Sequence, residues 1–330
     1  MSQSSLDVVG IGNAIVDIVS QCDDRFLADN GLDKGAMTLV GAHAALALYD
    51  KCGPGIESSG GSAANTMAGI ASLGGRAAYI GKVRDDELGR VFRHDIRASG
   101  VRYDAIPAAA GPPTARCLVL VTPDAQRTMQ TCLGISAELT AADVDLEMVR
   151  AAKVTYLEGY LFDPPDAKEA FRTAARAALA AGGRVALSLS DAFCVDRHRK
   201  DFLDLIAGPV DILFANEAEI LSLYQVDRFD EAVAAVRGHC EIAALTRSAK
   251  GAVVLSGEDM HVIDAAPVGR VVDTTGAGDL FAAGFLYGLT RGLGPAIAGR
   301  IGAIAAAEVI GHLGARPAQP LDRLVQGLSA

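Results

Sequence analysis

The chain has 330 residues, of which 50% are hydrophobic and 21% charged, a balance typical of a globular protein with a large core. Its formal net charge is −10, and it has no block of lysine or arginine residues. Proteins that bind nucleic acids or anionic membranes usually carry a basic surface, so the composition argues against both classes. Thirty-six glycines provide for tight turns and for close approach of a ligand to the backbone.

In chain order, the first part alternates short strands and helices. A strand is predicted at 7–12 and an extended run at 14–20, followed by helical periodicity at 42–49, 62–73 and 86–99. The β-rich runs 116–121 and 128–132 are joined by the turn Thr122-Pro123-Asp124-Ala125, which predicts a hairpin. We expect segments of about 14–41 and 105–132 to form a small sheet of their own.

From about Lys153 the pattern becomes strand, helix, strand. Apolar strands are predicted at 154–157, 184–189 and 210–214, with helices at 166–181 and 196–207. This rhythm indicates a mostly parallel sheet with helices on both faces. The last third adds strands near 242–245 and 252–256 and three glycine-punctuated helices. We predict one α/β domain over 1–330, with the small sheet inserted in it.

The compartment is predicted from cysteine usage and from the first residues. Six cysteines are scattered without a C-x-x-C pair, which favours buried thiols in a reducing compartment over disulfides or a zinc site. The start, MSQSSLDVVGIGN, lacks the features of a signal peptide, and the apolar stretch 301–310 is too short to span a membrane. We therefore expect a cytoplasmic protein.

Two stretches of the sequence resemble phosphate-binding motifs but do not match them. Residues 10–15 begin like G-x-G-x-x-G but end in Ile15 and lead into an extended run. Gly81-Lys82 follows Gly75 with one residue too many for a P-loop, and Val83 stands where a magnesium-binding Ser or Thr is required. A Rossmann dehydrogenase and a P-loop NTPase are therefore disfavoured.

The strongest motif is Asp273-Thr274-Thr275-Gly276-Ala277-Gly278-Asp279, which precedes apolar residues at helical spacing. The N–H groups at the start of a helix are unpaired and carry partial positive charge, which suits a phosphate. Asp279 in the first turn would then be close enough to accept a proton from an attacking hydroxyl group. The alternative is an ordinary helix cap, where Thr, Gly and Asp are all common.

Candidate ligands for a polyol lie nearer the N-terminus. Asp17 offers two acceptor oxygens, enough for a pair of sugar hydroxyls, although it could equally be an exposed strand aspartate. Gly60 and Gly61 leave room beside the backbone, and Asn65 follows one helical turn later. A glycine turn before a helix capped by Ser62 is the alternative, and both interpretations can hold together.

Two further sites have a functional and a structural interpretation. Asn216 and Glu219, at i and i+3 past a predicted strand, suit magnesium through its retained water molecules. The same spacing is that of an Asn-x-x-Glu capping box. Arg127, in the predicted hairpin, either closes over transferring phosphate or is a solvated surface residue.

These motifs together resemble those of the ribokinase-like (PfkB-type) carbohydrate and nucleoside kinases. Residues 273–279 are similar to the C-terminal signature of that family, 60–65 to its G-G-x-x-x-N motif, and 216–219 to its N-x-x-E motif. Residues 246–251 occupy the position of its nucleotide loop, and Gly12-Asn13 with Asp17 resembles its substrate strand. Residues 156–160, 187–190 and 210–214 look most like the adenosine kinase branch.

The resemblance implies a doubly wound α/β core with a small β-sheet lid, and transfer of the γ-phosphate of ATP to a primary hydroxyl group. It implies that Asp279 is the base and that the amides of Gly276, Ala277 and Gly278 stabilise the transferring phosphoryl group. The acceptor would be bound by Asn13, Asp17, Gly60, Gly61, Asn65, Arg127, Tyr160 and Leu161. ATP would be bound by Asn216, Glu219, Thr246, Gly251, Gly276 and Gly278. Magnesium near Asn216 and Glu219, and potassium on carbonyls around Asp273 and Thr275, complete the expected site.

The acceptor is the open part of this interpretation. A nucleoside such as adenosine is expected, and a free sugar such as ribose or fructose is the alternative. Leu161 stands where an aromatic residue would stack well on a base, and Ser248 stands where many relatives have glycine in the nucleotide loop. A non-catalytic nucleotide or sugar sensor is a second alternative, although a sensor has no need of Asp279. We expect no nucleic-acid or membrane partner, and either a monomer or a homodimer.

Overall fold

The structure is a computed structural model that describes residues 5–124 and 126–328. Its larger sheet has eight strands: β1 (Leu6–Ile11), β5 (Ala77–Ile80), β8 (Ala152–Glu158), β9 (Arg184–Ser188), β10 (Ile212–Asn216), β11 (Ile242–Thr246), β12 (Ala252–Ser256) and β13 (Asp259–Ile263). Their spatial order is β13-β12-β11-β10-β9-β8-β1-β5. The strands from β11 to β5 run parallel, and β12 and β13 form an antiparallel edge.

The smaller sheet has five strands: β2 (Ile15–Gln21), β3 (Met37–Leu39), β4 (Gly55–Gly60), β6 (Ala115–Val121) and β7 (Arg127–Cys132). Their spatial order is β3-β7-β6-β2-β4. β2 lies parallel to β6, with Asp17 opposite Cys117, and antiparallel to β4. Asp17 therefore lies on the strand between β6 and the edge strand β4.

The described helices are α1 (Asp24–Asp29), α2 (Ala42–Tyr49), α3 (Ser62–Ser72), α4 (Glu87–Ala98), α5 (Leu146–Arg150), α6 (Pro165–Ala180), α7 (Ala192–Ile206), α8 (Glu217–Tyr224), α9 (Phe229–Val236), α10 (Ala277–Thr290) and α11 (Pro295–Val309). α3, α4, α10 and α11 contribute to the core on one face of the larger sheet, and α5 to α9 to the core on the other. Along β10, Phe214 points into the first core and Leu213 into the second, as the two-residue period of a strand requires. The predicted fold class, including the second small sheet, is confirmed.

The smaller sheet differs from its prediction in two places. β4 was not predicted, because the sequence GIESSG combines glycine and serine, which have low strand propensity, with a single β-branched residue. Pairing with β2 stabilises it instead. Residues 105–114, part of the second expected segment, contribute no strand to this sheet. The hairpin is confirmed as β6 and β7, while Ala125 of its turn lies outside the described residues.

Two helix predictions were wrong. α7 begins at Ala192, four residues earlier than expected, because the Asp191 side chain accepts a hydrogen bond from the Cys194 amide and caps it. The backbone of His198 is not helical, which interrupts the periodicity that the sequence displays. No third helix follows α11 among the described residues; only a single 3₁₀ turn, Leu321–Arg323, is present. The glycines and prolines between 311 and 320 explain this.

None of the described helices combines the length and the apolar character that a membrane span requires.

Candidate active site

Segments that are distant in the sequence meet at a cavity of about 650 Å³ between the smaller sheet and the carboxyl ends of the larger sheet's strands. Carboxyl ends of parallel strands are the usual place for a ligand in such a sheet. Most residues expected to bind ligands line it: Asn13, Asp17, Gly61, Asn65, Arg127, Tyr160, Asn216, Glu219, Thr246, Thr275, Gly276, Ala277, Gly278 and Asp279. The structure therefore brings the separate motifs together at one site.

The segment 273–278, which leads into α10 and is named the anion loop, has a backbone geometry that suits an anion. Gly276 is the N-cap residue and has a left-handed backbone with φ of 77°, and a Cβ there would lie 2.9 Å from Ala315. Residues other than glycine adopt this conformation uncommonly. Apart from its chain neighbours and its own helix backbone, a Cβ on Gly278 would have no atom of the described residues within 4 Å, so this side of the first helical turn is open to the cavity. A phosphate can approach these amides directly.

Asp279 lies in the first turn of α10 and is bound to α3. Its Oδ1 accepts a hydrogen bond from Ser62 Oγ at 2.6 Å, and its Oδ2 accepts one from Asn65 Nδ2 at 2.9 Å. Burial raises the pKa of Asp279, while these two hydrogen bonds and the charge of Arg316 oppose the rise. Ser62 does not cap α3, since Gly61 is the N-cap residue.

Asp17 faces the cavity from β2 and is half-buried. A Cβ on Gly60 would meet the Asp17 carboxylate, so Gly60 makes room for this side chain without itself lining the cavity. Burial raises the pKa of Asp17 to about 7, with the charge of Arg316 opposing the rise and that of Asp279 adding to it. A hydroxyl-rich ligand would find two unshared carboxylate oxygens here.

A buried carboxylate that the sequence did not single out, Glu158, supports the acceptor side. It is 1% exposed and accepts hydrogen bonds from the Asn13 amide, from Asn13 Nδ2 and from the Ala63 amide, at 2.8 to 3.1 Å. A Cβ on Gly12 would occupy the same space. Burial raises the pKa of Glu158 to about 7. The sequence feature that could have identified Glu158 is its position at the carboxyl end of a buried strand.

Asn216 and Glu219 form the capping box that the sequence left open as an alternative. Asn216 Oδ1 accepts from the Glu219 amide, and Glu219 Oε2 accepts from the Asn216 amide, both at 2.9 Å. Burial raises the pKa of Glu219 to about 7. The described residues contain no group of three or more His, Cys, Asp or Glu side chains placed to hold a metal ion. A protein cage for magnesium is therefore not built here, whereas a site completed by phosphates and water is compatible with Glu219.

Arg127 is not the solvated surface residue of the alternative interpretation. Its Nη2 lies 2.8 Å from Oδ1 of Asp273, the first residue of the 273–279 motif. Asp273 is buried beside the cavity, and its carboxylate also accepts from the amides of Thr275 and Gly314. The ion pair fixes a guanidinium next to the anion loop.

Besides Gly60 and Asp273, two further candidates do not line the cavity. The Leu161 side chain is fully buried in the core on the α6 and α7 face, whereas its neighbour Tyr160 lines the cavity. Leu161 thus does not occupy the position of a stacking residue. A Cβ on Gly251 would collide with the carbonyl oxygen of Ile263, so this glycine shapes the loop after β11, while Thr246 faces the cavity.

One wall of the cavity was missed by the sequence interpretation. It is formed by residues between β9 and the first turns of α7, namely Ser188, Ser190, Asp191, Phe193 and Arg197. Ser190 has a positive φ of 72°, and its Oγ accepts a hydrogen bond from the Tyr160 amide at 3.0 Å. Positive φ at a residue other than glycine is uncommon, and its cost is compensated here by that contact.

The chain is similar in sequence and in structure to known kinases. The model described as pfkB family carbohydrate kinase matches residues 54–322. A crystal structure of a probable sugar kinase protein from Rhizobium etli CFN 42 is 52% identical, with a TM-score of 0.93 over 98% of this chain and 99% of that chain. Adenosine kinase from Sinorhizobium meliloti is also 52% identical, with a TM-score of 0.92 over 97% and 98% of the two chains.

Among curated proteins, the probable fructokinase-6, chloroplastic, of Arabidopsis thaliana is 31% identical over 72% of this chain. The matched region spans 64% of that relative's own length. The names differ in substrate, but all describe kinases, which indicates a phosphotransferase with an alcohol group as acceptor. The resemblance predicted from the motifs is confirmed: the chain belongs to the pfkB family of carbohydrate kinases.

Proposed function

We propose that the protein transfers the γ-phosphate of ATP to a primary hydroxyl group of a ribose-containing substrate, most specifically a nucleoside such as adenosine. The observation that carries the choice of acceptor is the apolar wall beside Asp17. It is formed by Ile15, Met37, Leu39, Cys117, Met129 and Leu133.

A nucleoside matches the division of this cavity into a polar and an apolar side. Asp17, Asn13 and Asn65 offer hydrogen bonds to ribose hydroxyls, and the apolar wall offers a surface for a base. A free sugar carries hydroxyl groups on every side. Some of these would lose their water against the apolar wall without gaining a partner, which is costly.

The reaction requires a base, charge stabilisation and alignment. Asp279 takes the proton of the acceptor hydroxyl as its oxygen attacks the γ-phosphorus, and the bond from phosphorus to the β-phosphate oxygen breaks to release ADP. The amides of Gly276, Ala277 and Gly278 donate to the transferring phosphoryl oxygens. Arg127, held next to this loop by its ion pair with Asp273, would add its positive charge.

The nucleotide would lie along Thr246 and the capping box of Asn216 and Glu219. Asn216 and Glu219 would hold the magnesium ion that accompanies ATP through its water molecules, and that ion would supply neutralisation of phosphate charge. A potassium ion on carbonyls around Asp273 and Thr275 remains part of the proposal.

The alternative acceptor is a free sugar, favoured by the 31% identity to the fructokinase relative. The second alternative, a sensor without turnover, would bind ligands and release no ADP. Asp279, held by Ser62 and Asn65 beside the anion loop, argues against the sensor.

ADP release over a panel of nucleosides and sugars tests the proposal, with D279N as the matched variant. We expect the wild type to turn over adenosine. In D279N we expect this turnover to be at least about 1,000-fold lower, while the affinity for ATP is unchanged. Turnover with ribose or fructose and none with nucleosides would establish the sugar alternative. Binding of adenosine and ATP without ADP release would establish the sensor. Near-normal turnover of D279N would overturn the role of Asp279.

A further inference from the structure

Arg316 lies outside every motif considered above, close to the C-terminus, and reaches the glycine turn before α3. Its Nε and Nη2 donate to the carbonyl oxygen of Ser59 at 3.0 and 2.9 Å, and Nη2 also donates to Ser59 Oγ at 2.9 Å. Nη1 donates to the carbonyl oxygen of Ala64 at 2.7 Å. One guanidinium therefore bridges both sides of the Gly60–Gly61 turn.

Ser59 is fixed from a second direction. Its amide donates to Asp95 Oδ2 of α4 at 2.7 Å. Held on both its amide and its carbonyl, Ser59 fixes the residue that follows, Gly60, which lies against the Asp17 carboxylate. Displacement of the Arg316 side chain would therefore change the surroundings of Asp17.

The two residues before Arg316 contact the anion loop. The Gly314 amide donates to Asp273 Oδ2 at 2.9 Å, and Ala315 packs against Gly276. Residues 314–316 thus contact the anion loop and the glycine turn in immediate succession.

Within the part of the chain that the structure describes, the charge of Arg316 has no close counter-ion. Among the described residues no carboxylate oxygen lies within 4.0 Å of its guanidinium, which donates only to carbonyl and hydroxyl oxygens. Burial lowers the pKa of Arg316, and the charges of Asp95, Asp17 and Asp279 oppose that change. In return, the charge of Arg316 lowers the pKa of Asp17 and of Asp279 against the effect of burial.

Other charges also act on this region and limit what Arg316 alone can change. Arg127 and Asp273 act on Asp17, in addition to Asp279. Asp279 itself acts on four further titratable groups, Tyr156, Glu158, Tyr160 and Glu219. Arg316 is the positive group whose charge acts on both Asp17 and Asp279.

We propose that Arg316 is a positioning residue for phosphoryl transfer, which fixes the Gly60–Gly61 turn and supplies a positive charge that acts on both Asp17 and Asp279. The roles given to these two carboxylates rest on the proposed function. Arg316 itself contacts neither of them directly, so it acts through the turn and through its charge.

Two variants separate the two effects. R316K keeps a positive charge but loses the planar fork, and R316Q keeps an amide donor but loses the charge. For R316Q we expect the acid limb of the kcat profile to move about one pH unit upward, because the ionised carboxylates lose a favourable charge. For R316K we expect an acid limb close to that of the wild type and an acceptor KM raised about tenfold. R323Q, at an exposed arginine of the same C-terminal segment, is the matched control.

If Arg316 had only a structural role, its replacement would lower Tm and total activity but leave the acid limb of the kcat profile in place. The proposal is overturned if the acid limb of R316Q coincides with that of the wild type. It is also overturned if the acid limb of R316K is displaced as far as that of R316Q. Should R316Q fail to fold, R316K and S59A still test it. S59A removes one hydrogen bond without a charge, so its acid limb must stay in place.

Unfolding measured against pH gives a readout that requires no turnover. R316Q should raise the pKa of Asp17 and Asp279 in the folded state, so its Tm should fall more steeply than that of the wild type between pH 5 and 8. Equal slopes overturn the proposal. If no acceptor is phosphorylated at all, the proposed function fails while this measurement still decides the role of Arg316.

Discussion

Arg127 of the smaller sheet and Asp273 of the loop before α10 form an ion pair of 2.8 Å. Their side chains are 14% and 3% exposed, so solvent screens the pair only weakly. The Asp273 carboxylate has two further donors, the amides of Thr275 and Gly314. The pair connects the sheet that covers the cavity to the loop proposed to bind phosphate.

The first prediction concerns R127Q. We expect kcat to fall about 100-fold, because a charge beside the transferring phosphoryl group is lost. Tm should change by only a few degrees, because Asp273 keeps its two amide donors. R116Q, on the neighbouring strand β6, is the control, since Arg116 forms no ion pair among the described residues. Wild-type kcat in R127Q would show that the ion pair is structural only.

The second prediction concerns the hydrogen bond from Ser62 to Asp279. The base must be ionised, so kcat falls as the pH drops through its pKa. S62A removes a donor that stabilises the ionised form, so the pKa of Asp279 rises and the acid limb moves to higher pH, by about 0.5 to 1 unit. Kinetics from pH 5 to 9 measure this, with S222A on α8 as a distant control. An unmoved limb would mean that Asp279 does not limit the rate on that side.

The third prediction compares two glycines of the anion loop. G276A places a Cβ at a φ of 77° and 2.9 Å from Ala315, so it should lower Tm by several degrees. G278A adds a methyl group that meets no described residue outside its own helix turn and favours the helix, so Tm should hold or rise. That methyl group occupies the space proposed for phosphate, so the Kd of ATP should rise about tenfold or more. Unchanged ATP binding in G278A, measured by calorimetry, would contradict the proposed phosphate position.

The sequence predicted the residues that lie in contiguous motifs. Asp279 and Asn65 could be found because helix-start chemistry is local, and local patterns are visible in a single chain. Their mutual contact could not be found, because 214 residues separate them and only the packing of α3 against α10 brings them together.

Residues that lie outside contiguous motifs were not identified from the sequence for the same reason. Arg316 acts on Ser59 across 257 residues, and no spacing rule connects the two. To identify the role of Glu158, one has to know that β1 and β8 are neighbours in the sheet. Tyr160 and Leu161 lie in one 3₁₀ turn, where adjacent side chains point in different directions, so one faces the cavity and the other the core. The sequence pattern alone did not distinguish them.

The last prediction follows from the buried position of Glu158. Burial raises its pKa from 4.5 to about 7, although three N–H groups of Asn13 and Ala63 oppose the rise. The folded protein therefore holds this proton more tightly than the unfolded chain. The stability that Glu158 contributes is present in full below about pH 4.5 and is lost as the pH rises to about 7.

E158Q replaces the titrating group by a neutral amide, so the fall in Tm between pH 5 and 8 should become smaller than in the wild type. At most ~1.4 kcal/mol per pH unit is removed, because one group stops titrating. A slope should persist, since burial also raises the pKa of Asp17 and Glu219 to about 7. Calorimetry at several pH values measures the slope, with E258Q in the exposed turn between β12 and β13 as control. Equal slopes in E158Q and the wild type would mean that the three N–H donors keep Glu158 ionised throughout this range.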